Sequence, residues 1–154
     1  LRIKTFLLPL LTLAAVITCE PLLKLNPGDR IAIVGNGFGA RMRYHGQLES
    51  MIHARFPNHK LKVRNFSWAG EEPSHRFRPH KYDWYGRRII DTFKPNVFIL
   101  CFGMNASFRG AGALKEFRDH YHWKIKDLRG RKYDKNLRFV LVSPIAQPFD
   151  PGGK

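Results

Sequence analysis

Apolar residues gather in short runs along this chain, separated by stretches where they recur at every third or fourth position. Arg30-Ile31-Ala32-Ile33-Val34 is a β-rich run that stops at Gly35, which predicts a first strand. From Arg41 to Phe56 the apolar positions are Tyr44, Leu48, Met51, Ile52 and Phe56. That spacing predicts one helix, ended by Pro57-Asn58. Leu61 to Phe66 begins by alternating apolar and basic residues and predicts a second strand. Residues 67–80 follow no period and predict a long loop, a length often tied to function in compact domains. Tyr82, Tyr85, Ile89, Ile90 and Phe93 predict a second helix that stops before Pro95. Asn96 to Phe102 is almost wholly apolar, as a parallel strand covered on both faces should be. Leu114, Phe117, Tyr121, Ile125 and Leu128 predict a third helix, and Arg138 to Val142 a fourth strand closed by Ser143-Pro144.

The order βαβαβαβ implies an α/β fold: a parallel sheet between two layers of helices, joined by right-handed crossovers. In a flavodoxin-like strand order, 2-1-3-4, the first and third strands lie side by side where the winding reverses. Ligands bind at such a switch point, beyond the carboxyl ends of the strands. The loops after Val34 and after Phe102 are therefore the first places to look for chemistry.

The amino-terminal residues have a different character. Arg2 and Lys4 precede an apolar run from Thr5 to Cys19, after which the chain turns polar. A basic start followed by a short apolar stretch predicts a secretory signal over residues 1–19. The run is shorter than the roughly 20 residues a bilayer span requires. Val16-Ile17-Thr18-Cys19 approximates a lipobox, but Thr18 fits poorly before a lipidated cysteine, so ordinary cleavage and export are expected. A linker over residues 20–28 and one domain over residues 29–154 complete the expected organisation. The net charge of +15 is spread along the chain. Such a surface attracts anionic polymers in a salt-dependent way. Cys101, inside an apolar run, reads as a small buried hydrophobe, and neither a disulfide framework nor a zinc spacing is present.

The loop Gly35-Asn36-Gly37-Phe38-Gly39-Ala40 fits G-x-G-x-x-[GA] between a strand and a helix, the pattern of a dinucleotide site. The acidic residue such a site needs after the second strand is missing, since that stretch reads Arg64-Asn65-Phe66. Taken with the other loops, the pattern fits better elsewhere. Gly35-Asn36-Gly37 ends strand one, Asn65-Phe66-Ser67-Trp68-Ala69-Gly70 follows strand two, and Phe102-Gly103-Met104-Asn105 follows strand three. In order and spacing these resemble the first three sequence blocks of the SGNH (GDSL-type) hydrolases: G-D-S, then N-x-x-x-x-G, then G-x-N. The resemblance runs from about Gly28 to the end of the chain.

That resemblance implies ester chemistry. The family's serine attacks an ester carbonyl, and the oxyanion is held by the serine N–H, a second-block glycine N–H and a third-block asparagine side chain. The matching positions here are Gly37, Gly70 and Asn105. Gly37 supplies no nucleophile, and Asn36 stands in place of the usual aspartate. The family's carboxyl-terminal D-x-x-H has no counterpart after the fourth strand, so the sheet is expected to be incomplete at that end. Asp119-His120-Tyr121-His122 spells the string but falls within the third helix, where solvated surface is expected. His120 and His122 do not share a helix face, and His45, His53, His59, His75 and His80 show no ligand spacing, so no metal is expected. No cofactor is expected either. Ser67, Ser74 and Ser107 lie in or near the loops, with no partnered base evident from sequence. The expected function is therefore a domain that acts on or binds esterified carbohydrate or a similar ester, inactive through its usual nucleophile. The alternatives are a non-catalytic domain for anionic glycan or nucleic acid, and a dinucleotide-binding domain. An appended carboxyl-terminal domain is a further expected partner.

Overall fold

The computed structural model describes residues 23–74 and 88–145. The expected signal segment and Cys19, the positions of Tyr82 and Tyr85, and residues 146–154 lie outside the described residues. The elements in chain order are β1 (Arg30–Gly35), α1 (Gly37–His45), α2 (Gln47–Arg55), β2 (Lys62–Asn65), α3 (88–93), β3 (Val97–Cys101), α4 (Met104–Ser107), a short 3-10 turn (Ala111–Ala113), α5 (Leu114–Gly130) and β4 (Arg138–Leu141). The sheet order is β2-β1-β3-β4, and every pairing is parallel. This is the expected flavodoxin-like α/β sheet.

Strand geometry sends alternate side chains to opposite faces, and each face has its own core. Ala32, Val34, Phe98, Leu100 and Phe102 face one way, against Ile90, Phe93, Phe117, Tyr121, Ile125 and Leu128 of α3 and α5. Ile31, Ile33, Val97, Ile99 and Cys101 face the other way, against Phe38, Met42, Leu48, Ile52 and Phe56 of the α1–α2 layer. The helices between β1 and β2 cover one face and those of the two later crossovers cover the other. That is the arrangement right-handed crossovers give when the winding reverses after β2. Burial pushes the Cys101 thiol up to about 11, which keeps it a neutral core residue.

The single helix expected from Arg41 to Phe56 is two helices. Gly46 takes a left-handed conformation, with φ of 59°, and its N–H caps α1 on the Met42 carbonyl. The break resets the helical phase. Tyr44 and Met51, expected on the buried face, are exposed, and Phe38 and Met42 take part in the core instead. The first helix also starts earlier than its apolar spacing suggested, at Gly37 directly after the strand.

At the amino ends of the strands, Asp29 is almost fully buried and ties three strands together. It accepts hydrogen bonds from Arg138 Nη2 at 2.6 Å, Asn96 Nδ2 at 2.9 Å and the Asn26 N–H at 2.7 Å. Asn96 Oδ1 in turn accepts from the Arg30 N–H at 2.8 Å. Lys94 and Lys132 sit at the ends of their helices with φ of 48° and 54°, a region that penalises any residue with a Cβ. Lys132→Gly is expected to raise stability by about 0.5–1 kcal/mol, since the position asks for glycine. Thermal melts check this, and a lower melting temperature for the variant would count against it.

Candidate functional site

Backbone hydrogen bonds hold the three loops together at the carboxyl ends of β1, β2 and β3. The Asn36 N–H donates to the Cys101 carbonyl at 3.0 Å, and the Trp68 N–H donates to the Gly35 carbonyl at 2.9 Å. The loop after β1 is thus sewn to the end of β3, and the loop after β2 to the end of β1. Of the expected site residues, Gly70 and Asn105 are in direct contact: Asn105 Nδ2 donates to the Gly70 carbonyl at 3.2 Å. Gly70 needs its freedom from a Cβ, because its φ is +84°. Asn105 lies in the short α4 that follows β3. Gly37 is the first residue of α1, immediately after Asn36, so its N–H is among those a helix cannot satisfy internally. A Cβ at Gly37 would meet nothing within 4 Å.

The other glycines of that loop have packing roles. A Cβ on Gly35 would strike the Cys101 carbonyl and lie 2.7 Å from the Cys101 Cβ. A Cβ on Gly39 would strike Ser67 Oγ. Asn65, at the end of β2, folds back onto these loops: its Nδ2 donates to the Gly39 carbonyl at 2.7 Å, and its Oδ1 accepts from the Ser67 N–H at 2.9 Å. Arg43 Nη2 donates to the Ser67 carbonyl at 2.6 Å, and its guanidinium lies 5.9 Å from the ring centre of the exposed Trp68. The place where a dinucleotide site would carry an acidic residue is thus filled by an asparagine that braces the loop.

The loop serines differ in environment. Ser67 is 1% exposed and packed on Gly39. The exposed Ser107 donates to the Met104 carbonyl within α4. Ser74 lies 3.0 Å, Oγ to Nδ1, from His120 on α5. The sequence reading therefore needs correction at His120. Asp119 and His122 are exposed helix surface, and Asp119 pairs with Lys115 at 2.8 Å, but His120 is half-buried against a serine. The loop after β2 is tied once more to the opposite side by Arg109, 3.2 Å from Glu72 and 3.6 Å from Glu116. Sequence offered only part of this: Ser74 as a loop serine, and His120 on the third helix. Nothing in it paired the two, and Arg109 carried no signal of its own.

A cavity of about 340 Å³, lined by Asp91, Lys94, Arg131, Lys132 and Tyr133, lies just before β3 and β4 in the chain, at the amino ends of the strands. Tyr133 donates to Asp91 there, and burial pushes its phenol up to about 12. It is remote in the topology from the loops described above.

No protein-family model matches the chain, and no characterised protein matches it by sequence. Solved structures do match. A catalytic mutant of Axe2, an acetylxylan esterase from Geobacillus stearothermophilus, aligns at 19% identity and a TM-score of 0.51, over 77% of this chain and 61% of its own. A second Axe2 mutant, described as an acetyl-xylooligosaccharide esterase from the same bacterium, aligns at 16% identity with the same TM-score and coverages. The chain thus spans about three-fifths of the length of the structures it matches. At these identities the likeness speaks for the fold alone, and over the aligned residues this chain shares the α/β fold of the two Axe2 structures.

Proposed function

We propose that this is an exported domain that binds an ester, with esterified carbohydrate as the best-fitting class, at the switch point between β1 and β3. The observation that carries this reading is the contact of Asn105 with Gly70, between loops whose backbones are bonded to the end of β1 and to Asn36, the residue before α1. The Gly37 N–H, the Gly70 N–H and the Asn105 amide are then the donors for an ester carbonyl. An amide nitrogen has two hydrogens, so Asn105 can hold Gly70 with one and offer the other. The exposed Trp68, backed by Arg43, presents an amphipathic ring at the rim, where a sugar face could lie. Acyl transfer at position 37 is outside this reading, since glycine has no nucleophile.

Calorimetric titration with an acetylated xylo-oligosaccharide tests the proposal. Binding is expected, weakened by Asn105→Ala about three- to tenfold, as for loss of one neutral hydrogen bond. Gly37→Ser is expected to fit without strain, yet to leave nitrophenyl acetate turnover within about twofold of the unmodified chain, because a hydroxyl without a base is a poor nucleophile. Unchanged affinity in Asn105→Ala would refute the donor assignment. A large gain of turnover in Gly37→Ser would mean that a base already faces that position.

A further inference from the structure

The loop after β2 carries a second arrangement that the switch-point reading does not use. Ser74 Oγ is 3.0 Å from His120 Nδ1, and Glu116 Oε1, one helical turn earlier on α5, is 3.9 Å from the same nitrogen. Arg109, held between Glu72 and Glu116, brings a guanidinium to the cluster. Hydroxyl, imidazole, carboxylate and guanidinium thus converge from three segments separated in sequence. The His120 side chain is 28% exposed, enclosed yet open to a reactant. The Lys115–Asp119 pair on the same helix shows the contrast, because both of its side chains are largely exposed.

We propose that Ser74 and His120 form a nucleophilic dyad for acyl esters, displaced from the position the fold would ordinarily use. With His120 as the Nε2–H tautomer, Nδ1 accepts the Ser74 O–H. As Oγ bonds to the ester carbonyl carbon, the proton passes to Nδ1, and the Glu116 carboxylate stabilises the imidazolium. Arg109, which reaches the cluster through Glu72 and Glu116, is assigned to the tetrahedral oxyanion. Collapse breaks the bond from carbon to the leaving oxygen, which takes the Nδ1 proton and departs as the alcohol. Water then gives a proton to Nδ1 as it attacks the acyl carbon. The acid is released, and Ser74 Oγ recovers the proton. No group outside the chain, the ester and water is required.

The dyad does not use Gly37, Gly70 or Asn105, so its fate is separable from that of the switch-point reading. The test treats the unmodified chain with a fluorophosphonate probe, which captures nucleophilic serines, and maps the adduct by peptide mass analysis. The adduct is expected on Ser74. His120→Gln should slow labelling about 10²- to 10⁴-fold, the range for loss of a general base. Ser74→Ala should abolish it, and Ser107→Ala should leave it unchanged. Circular dichroism melts accompany the variants. Should Ser74→Ala or His120→Gln fail to fold, the site of the adduct on the unmodified chain still decides the matter. No adduct, or an adduct on another serine, overturns the dyad. Labelling at Ser74 together with unchanged oligosaccharide affinity in Asn105→Ala would keep the dyad and sink the switch-point reading, and the reverse pattern would do the opposite.

Discussion

Asp29→Asn is expected to lower the stability of the domain by about 2–3 kcal/mol and its melting temperature by about 5–10 °C. Burial opposes a charge on Asp29, but hydrogen bonds from Arg138, the Asn26 N–H and Asn96 outweigh it and hold the carboxyl below its ordinary value of 3.8. The substitution removes the acceptor charge while leaving the Arg138 guanidinium in a half-buried place against a neutral amide. The stabilisation should also follow pH in a defined direction. A carboxyl whose pKa is depressed on folding contributes its full share above its unfolded value, and that share is lost as pH falls through the folded value. Asp29→Asn should therefore fall below the parent in urea melts at neutral pH, with the gap closing on acidification below about pH 4. Since Arg138 shares the interaction, adding Arg138→Gln should cost less in the Asp29→Asn background than alone. A gap that persisted unchanged down to pH 2, or strict additivity of the two substitutions, would show that the Asp29 charge does not hold the strands.

This polar brace lay at the limit of what the sequence revealed. The sheet itself was legible because the strands had local signatures: the apolar run of β3 for burial on both faces, and the alternation of apolar and basic residues that opens β2. Both signatures are local in the sequence and need no partner to be recognised. Asp29 carried no signal at the start of the domain, because the groups that justify burying it, Asn96 and Arg138, are separated from it by 67 and 109 positions. Gly46 misled in the opposite way. Apolar residues on either side kept a three-and-four rhythm across the break, so periodicity continued where the backbone did not. At the site, Gly70 and Asn105 could be placed because each follows a strand at a short fixed offset. The Ser74–His120 contact could not, because nothing in a lone serine marks the helix residue it will meet.

The glycine-rich loop after β1 should respond to substitution in a pattern that separates packing from ligand recognition. Gly35→Ala is expected to cost about 3 kcal/mol or more, a large part of the 5–15 kcal/mol typical of a domain. Gly35 is paired with Cys101 across the two central strands, so its Cβ would press on backbone that has no free direction in which to move. Gly39→Ala should cost less, about 1–3 kcal/mol, because the obstructing Ser67 Oγ belongs to a side chain on a loop. Its Cβ would still lie 2.9 Å from Ser67 Cβ, so turning the hydroxyl away is only a partial remedy. Gly37→Ala should be neutral or slightly stabilising, since the position is helical, open, and better served by alanine than by glycine. The expected order of damage is Gly35, then Gly39, then Gly37, read from urea midpoints of the three variants. A loop built to cradle phosphate would place its functional demand on Gly37, where backbone must approach the ligand, while one built to bring β1 against β3 places it on Gly35. If Gly35→Ala melts with the parent, the close approach of β1 and β3 is not the reason for glycine there. If Gly37→Ala is the most damaging of the three, the open space beside that residue has been misjudged, and with it the expectation that a serine could be accommodated at position 37.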